Sequence, residues 1–317
     1  MQKRASTKIS QAIPVQNGGI NDHAKPTALR RSPTKASVTL SWNEIPEWQR
    51  DNEYILRGYR QVQNGWPGCI VSVFGYLHNE TVNIHTHLGG AVLFINLLFT
   101  FQTKHMSTYG TATWLDTCAF AVFLLSAIFC LSASAAFHTA TCHSEKAARC
   151  HALDYFGIIV LTVGSFVPCI FYGFYCEPLS QMFYLLAIAV AGIAAAHIVL
   201  NPEYAKPTHR NARTGVFIGL GLCAVVPVTQ LVVTHGATKL FSEMGFGWLI
   251  TSGILYIAGA LIYAYRIPER IAPGTFDYLL ASHQIFHVCV VLAALAHWFC
   301  VLTAFDHWHS GLAVCDS

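Results

Sequence analysis

The 317 residues are 54% hydrophobic and only 11% charged, against roughly one quarter charged in a soluble domain, which excludes an ordinary soluble globule. The net charge of +3 is small and the basic residues are scattered, which excludes the concentrated basic footprint of a nucleic-acid binder. The eleven cysteines show no CxxC spacing, and most, including Cys118, Cys130, Cys169, Cys223, Cys289 and Cys300, fall in apolar runs, so they read as small buried hydrophobes rather than a disulfide framework.

Residues 1–44 are rich in Ser, Thr, Pro, Lys and Gln with no apolar periodicity, the pattern of a disordered tail. The opening MQKRASTKIS lacks the apolar core of a cleavable signal, so the first span is expected to direct insertion itself. From Ile45 to Arg60, IPEWQRDNEYILRGYR mixes aromatic and charged residues at helical spacing and predicts a short helix on the membrane surface, within an interfacial segment over 45–85. Seven apolar stretches follow, over about 87–104, 113–139, 153–175, 180–200, 214–234, 247–265 and 282–305, each near the ~20 residues that cross a bilayer. The expectation is an all-α integral membrane protein, a seven-transmembrane-helix bundle over 86–306 with a short tail at 307–317. Pro168 and Pro227 fall inside the third and fifth stretches, where kinks open space between helices.

Of the nineteen Lys and Arg, seventeen lie before the first span or in the connectors TCHSEKAARCH, NPEYAKPTHRNAR and YRIPERIAPGTFD; only Lys104 and Lys239 lie on the other side. The positive-inside bias therefore predicts a cytoplasmic N-terminus and an outside C-terminus.

Ionisable groups inside a membrane helix are functional candidates by default. SAAFH puts Ser134 and His138 four residues apart on the second span, and HQIFH does the same for His283 and His287 on the seventh. Residues i and i+4 share a helix face. An isolated membrane histidine serves packing or hydrogen bonding just as well. With the predicted topology, however, His138, His283, His287 and Asp154 of the third span all fall at one depth near the inner ends. Three imidazoles with an open position for water form a catalytic zinc centre, and a neighbouring carboxylate activates that water. Asp154 is placed for that role, and Ser134 for hydrogen bonding the water or a substrate carbonyl. His197 reads as structural; His307 and His309 belong to the outer tail and would bind metal only adventitiously. Asp154 is the one obvious carboxylate in the spans and no polar path continues outward, which argues against a transporter.

DNEYILRGYR (Asp51–Arg60), ETVNIHTH (Glu80–His87), SAAFH with the later Asp154 in LDYFGI, and SHQIFH (Ser282–His287) resemble, in order, the signature motifs of the progestin and adiponectin receptor family, which includes haemolysin-III-related proteins. The resemblance covers residues 45 to 305, and its last stretch is most like the fungal members. It implies Zn2+ held by His138, His283 and His287 with Asp154 beside its water, a ceramide-like lipid substrate, an extracellular ligand, links to lipid and zinc homeostasis, and a place in the plasma membrane. It also implies that Glu80, Asn83, Thr86 and His87 brace the first helix rather than bind zinc, with His85 where the adiponectin receptors carry an aromatic residue. Two functions stay open: zinc-dependent hydrolysis of the ceramide amide, or a receptor or zinc-homeostasis regulator in which the zinc is structural.

Overall fold

In a computed structural model the described residues are 38–144, 147–204, 207–311 and 315; most of the expected disordered tail, residues 1–37, lies outside them. Seven helical spans are present: Thr81–Thr108, Trp114–Ala140, Arg149–Gly173, Pro178–Val199, Arg210–His235, Phe246–Tyr265 and Ser282–His309. The elements are α1 (Trp66–Gly75), α2 (Thr81–Thr100), α3 (Trp114–Ala140), α4 (Ala147–Gly173), α5 (Pro178–Val199), α6 (Arg210–Leu222), α7 (Val225–His235), α8 (Ala237–Glu243), α9 (Phe246–Tyr265) and α10 (Ser282–His309). α2 completes the first span through a π turn and a 3-10 turn.

The second and seventh spans form the centre of the bundle: 56% and 50% of their most apolar windows are buried, against 11% for the fifth and sixth. An aromatic core joins the first span, α3 and α10, with Phe101 of the π turn stacked on Phe120 at 3.7 Å and Phe305 edge-on to both. α4 approaches α3 closely because position 157 is glycine: a Cβ there would lie 3.0 Å from the Cys130 backbone. That contact lies one turn along α4 from Asp154 and one turn along α3 from Ser134.

The two prolines act differently. Pro168 stays inside a continuous α4. Proline disturbs the carbonyls of the preceding turn, and there the Ser165 carbonyl accepts a hydrogen bond from His297 Nε2 of α10 at 2.9 Å. Pro227 instead sits in the first turn of α7, which tolerates its missing N–H. The fifth span breaks just before it, at Cys223 and Ala224, into α6 and α7.

Four expectations are corrected. The stretch from Ile45 to Arg60 is not one helix; it holds the 3-10 turn Glu47–Gln49 and otherwise runs irregularly. Its hydrogen-bonding groups go to the connector before α10: Leu56 N–H donates to Asp277 Oδ1 at 2.8 Å and Asn52 Nδ2 to Glu269 Oε1 at 3.0 Å. Gly58, at φ +85°, passes close under the Tyr278 ring, where no side chain fits. The short helix of this region is α1, with Ile70, Val71 and Phe74 exposed; at ten residues it is half the length of a span.

The cysteines are not uniformly buried. Cys118 and Cys223 are exposed, and Cys176, before α5, forms a disulfide with Cys315 beyond α10.

Asp154 is also not the one carboxylate in the spans. Asp116, in the first turn of α3, is fully buried and accepts hydrogen bonds from Tyr172 Oη at 2.9 Å, His309 Nε2 at 2.9 Å and Thr113 N–H at 2.8 Å. His309 is therefore the last residue of α10 rather than part of a tail.

Candidate metal site

His138 lies in the last turn of α3, where the free carbonyls gather the negative end of the helix dipole. Arg60, itself buried, closes that end: it donates to the His138 carbonyl, to the Thr139 carbonyl at 3.2 Å and to Thr141 Oγ1 at 2.7 Å. His283 and His287 occupy the first two turns of α10. The start of that helix is fixed by the buried Glu269, which accepts from the Ser282 backbone N–H at 2.7 Å and from the Ser282 hydroxyl. Gln284 adds a second tie, donating to the Asn79 and Tyr278 carbonyls at 3.0 Å each. Both helix ends are thus pinned by the irregular polar segments that flank them.

The two ends meet. One nitrogen from each of His138, His283 and His287 lies within 4.8 Å of the others, and the ring centroids are 4.6 to 4.9 Å apart. His138 and His287 are buried and His283 is partly buried.

Hydrogen bonds fix which nitrogen faces the centre. His138 Nδ1 donates to Glu80 Oε2 at 2.7 Å, leaving its Nε2 buried with no partner among the described residues. His287 Nδ1 donates to the Asn83 carbonyl at 3.1 Å, leaving Nε2 on the inner side. Metal-binding histidines are held in this way, with the outer nitrogen on a carboxylate or carbonyl. An orphaned buried imidazole nitrogen facing two more imidazoles fits a divalent cation of the zinc type.

A cavity of about 920 Å³ reaches from Trp48, Arg50 and Ser144 past the three imidazoles and on between α3, α4, α6, α7, α9 and α10 as far as Ala304. Ser134 and Asp154 line its metal end, Ser134 lying against the Asp154 carboxyl, and both are buried. His87 lines the same end. Its ring stacks on His287 at 3.7 Å and neither of its nitrogens has a hydrogen-bond partner among the described residues. Beyond them the wall is mainly apolar, with Cys130, Ile158, Val290 and Val301 among its residues. His151 and His297 also line the cavity, whereas His197 is exposed on α5, His307 pairs with Glu243 at 3.3 Å, and His309 is held by Asp116.

A family model described as "Haemolysin-III related" matches residues 75–298, which include all three histidines and Asp154. The chain belongs to this family. It is 35% identical to the "ADIPOR-like receptor IZH2" of Saccharomyces cerevisiae over 98% of this chain and 93% of the yeast protein. It is 40% identical to the "Adiponectin receptor protein" of Drosophila melanogaster over 81% of this chain and 57% of the fly protein. A rice relative, "Heptahelical transmembrane protein ADIPOR1", is 34% identical over 82% of each. The chain spans a little under three fifths of the fly relative and of a Caenorhabditis elegans one. These relatives and the seven spans make it an adiponectin-receptor-like integral membrane protein.

Reading the residues alone missed the contact between Glu80 and His138. A signal existed: Glu80 stands immediately before the first span, at the same end of the bundle as His138. Membrane-depth reasoning applied to residues flanking the spans, as well as within them, finds it.

Proposed function

We propose that the chain is a zinc-dependent hydrolase of ceramide-like lipid amides on an adiponectin-receptor-type bundle, with His138, His283 and His287 holding the ion through their inward nitrogens. The observation that carries this reading is the buried, unpartnered Nε2 of His138 at the mouth of an apolar cavity that also holds Asp154 and Ser134. Bound zinc supplies Lewis acidity toward the amide carbonyl. Asp154 accepts a proton from the attacking water as its oxygen bonds to the carbonyl carbon, and returns a proton to the nitrogen as the C–N bond breaks. Ser134 donates to the substrate carbonyl. The products are a fatty acid and an amine. The apolar wall accommodates the acyl chain, as expected of a substrate that stays among the helices.

The N-terminus is cytoplasmic in this reading. Seventeen of nineteen Lys and Arg then lie inside, and the Cys176–Cys315 disulfide lies on the oxidising outer side. The plasma membrane and an extracellular ligand suit a receptor-like relative, as does a link to lipid and zinc homeostasis. A non-catalytic receptor, with zinc tying α3 to α10, is the second reading; it is favoured by the placement of the ligands on two separate spans. Fatty-acid release from ceramide by purified protein separates the two. Hydrolysis requires that wild type release fatty acid and that Asp154→Ala abolish release while keeping zinc. Wild-type protein that is zinc-loaded yet inert on ceramides contradicts hydrolysis and favours the receptor.

A further inference from the structure

We propose that Glu80, held by Asn83, is a positioning residue that sets the metal affinity of the three-histidine centre, acting through His138. This rests on the zinc reading above.

Glu80 occupies the N-cap of α2, where an acidic side chain ordinarily accepts from the first free backbone N–H groups. It makes no such bond. Its Oε2 instead takes His138 Nδ1 at 2.7 Å and Asn83 Nδ2 at 2.6 Å. Its side chain is only 22% exposed, and among the described residues it makes its ion-pair contact with His138 and none with a Lys or Arg. A largely buried carboxylate is costly without a compensating positive charge. A cation on the far nitrogen of the same imidazole supplies that charge. A carboxylate on the outer nitrogen also makes the ring a stronger donor and fixes its orientation.

Asn83 makes this a shared device. Its side chain orients Glu80, its backbone carbonyl receives His287 Nδ1 at 3.1 Å, and the neighbouring Asn79 carbonyl receives Gln284. One turn at the start of α2 therefore holds ligands from α3 and α10, although α2 contributes none. This role accounts for a polar turn at the end of an otherwise apolar span.

The test is zinc affinity of the purified full chain, by competition with a chromogenic chelator, alongside thermal stability in chelator. Glu80→Gln is expected to weaken zinc about 10- to 100-fold with stoichiometry unchanged, and Glu80→Asp to recover part of the loss. In a His138→Ala background Glu80→Gln should change the residual affinity by less than about twofold, since the carboxylate then has no ligand to act on. Affinity of Glu80→Gln within twofold of wild type overturns the proposal, as does an equal loss in both backgrounds, which is the mark of a merely structural tie. Should Glu80→Gln fail to fold, Asn83→Ala keeps the carboxylate but frees it; a loss of about threefold or more is expected, and unchanged affinity overturns the proposal. Wild-type protein that binds no zinc at all overturns the zinc reading itself.

Discussion

The two ends of the bundle each bury a carboxylate against a histidine, and they differ in what the histidine does next. At one end Glu80 holds His138 at 2.7 Å and the other ring nitrogen is left without a partner. At the opposite end Asp116 holds His309 Nε2 at 2.9 Å, but His309 Nδ1 is also engaged, by Thr111 Oγ1 at 2.9 Å. Tyr172 and Thr113 fill the remaining positions on Asp116. The second pair is closed and reads as structure; the first is open toward two more imidazoles and a cavity. A buried polar group that is fully satisfied holds the fold together, whereas one left unsatisfied needs an explanation in function.

Substitutions at the two ends should therefore separate binding from stability. The largest effect is expected for His138→Ala: zinc affinity falls further than in any other variant, measured by chelator competition, to a weak residual value, while the helical circular-dichroism signal is retained. At the closed end, Asp116→Ala strands the buried His309 and Tyr172 without their acceptor. It should cost about 3–5 kcal/mol, a drop in thermal midpoint on the order of 10 °C, with zinc affinity unchanged. Zinc loss in that variant would break the comparison. Replacing Cys176 and Cys315 together by serine removes a cross-link near the same end; it should cost about 2–4 kcal/mol, again leaving zinc in place. His297→Leu, which strips the Ser165 carbonyl beside Pro168 of its donor, should cost about 1 kcal/mol in denaturant unfolding and leave zinc affinity untouched.

The spans were legible because each must present some twenty apolar residues to lipid, a signal that needs no partner. Their ends were less so. Glu80 to His87 and Arg210 to Arg213 look too polar for a span, yet belong to the first and fifth helical stretches or border them, because their polar groups find partners such as His138 and Asp51. The three histidines were legible from i, i+4 spacing combined with topology. The irregular course of 45–60 was not, since its partners Glu269 and Asp277 lie more than 200 residues away. Nor was the network at the opposite end: Asp116 reads as a helix-start residue, and His309 as tail, until the fold brings them together. Pairing Cys176 with Cys315 among eleven cysteines likewise has no local signal.

X-ray absorption at the zinc edge of the purified, chelator-free protein tests the central claim most directly. The account predicts one zinc per chain with three imidazole nitrogens at about 2.0–2.1 Å and an oxygen as the remaining ligand. Sulfur scattering at about 2.3 Å, or protein without zinc, would contradict it.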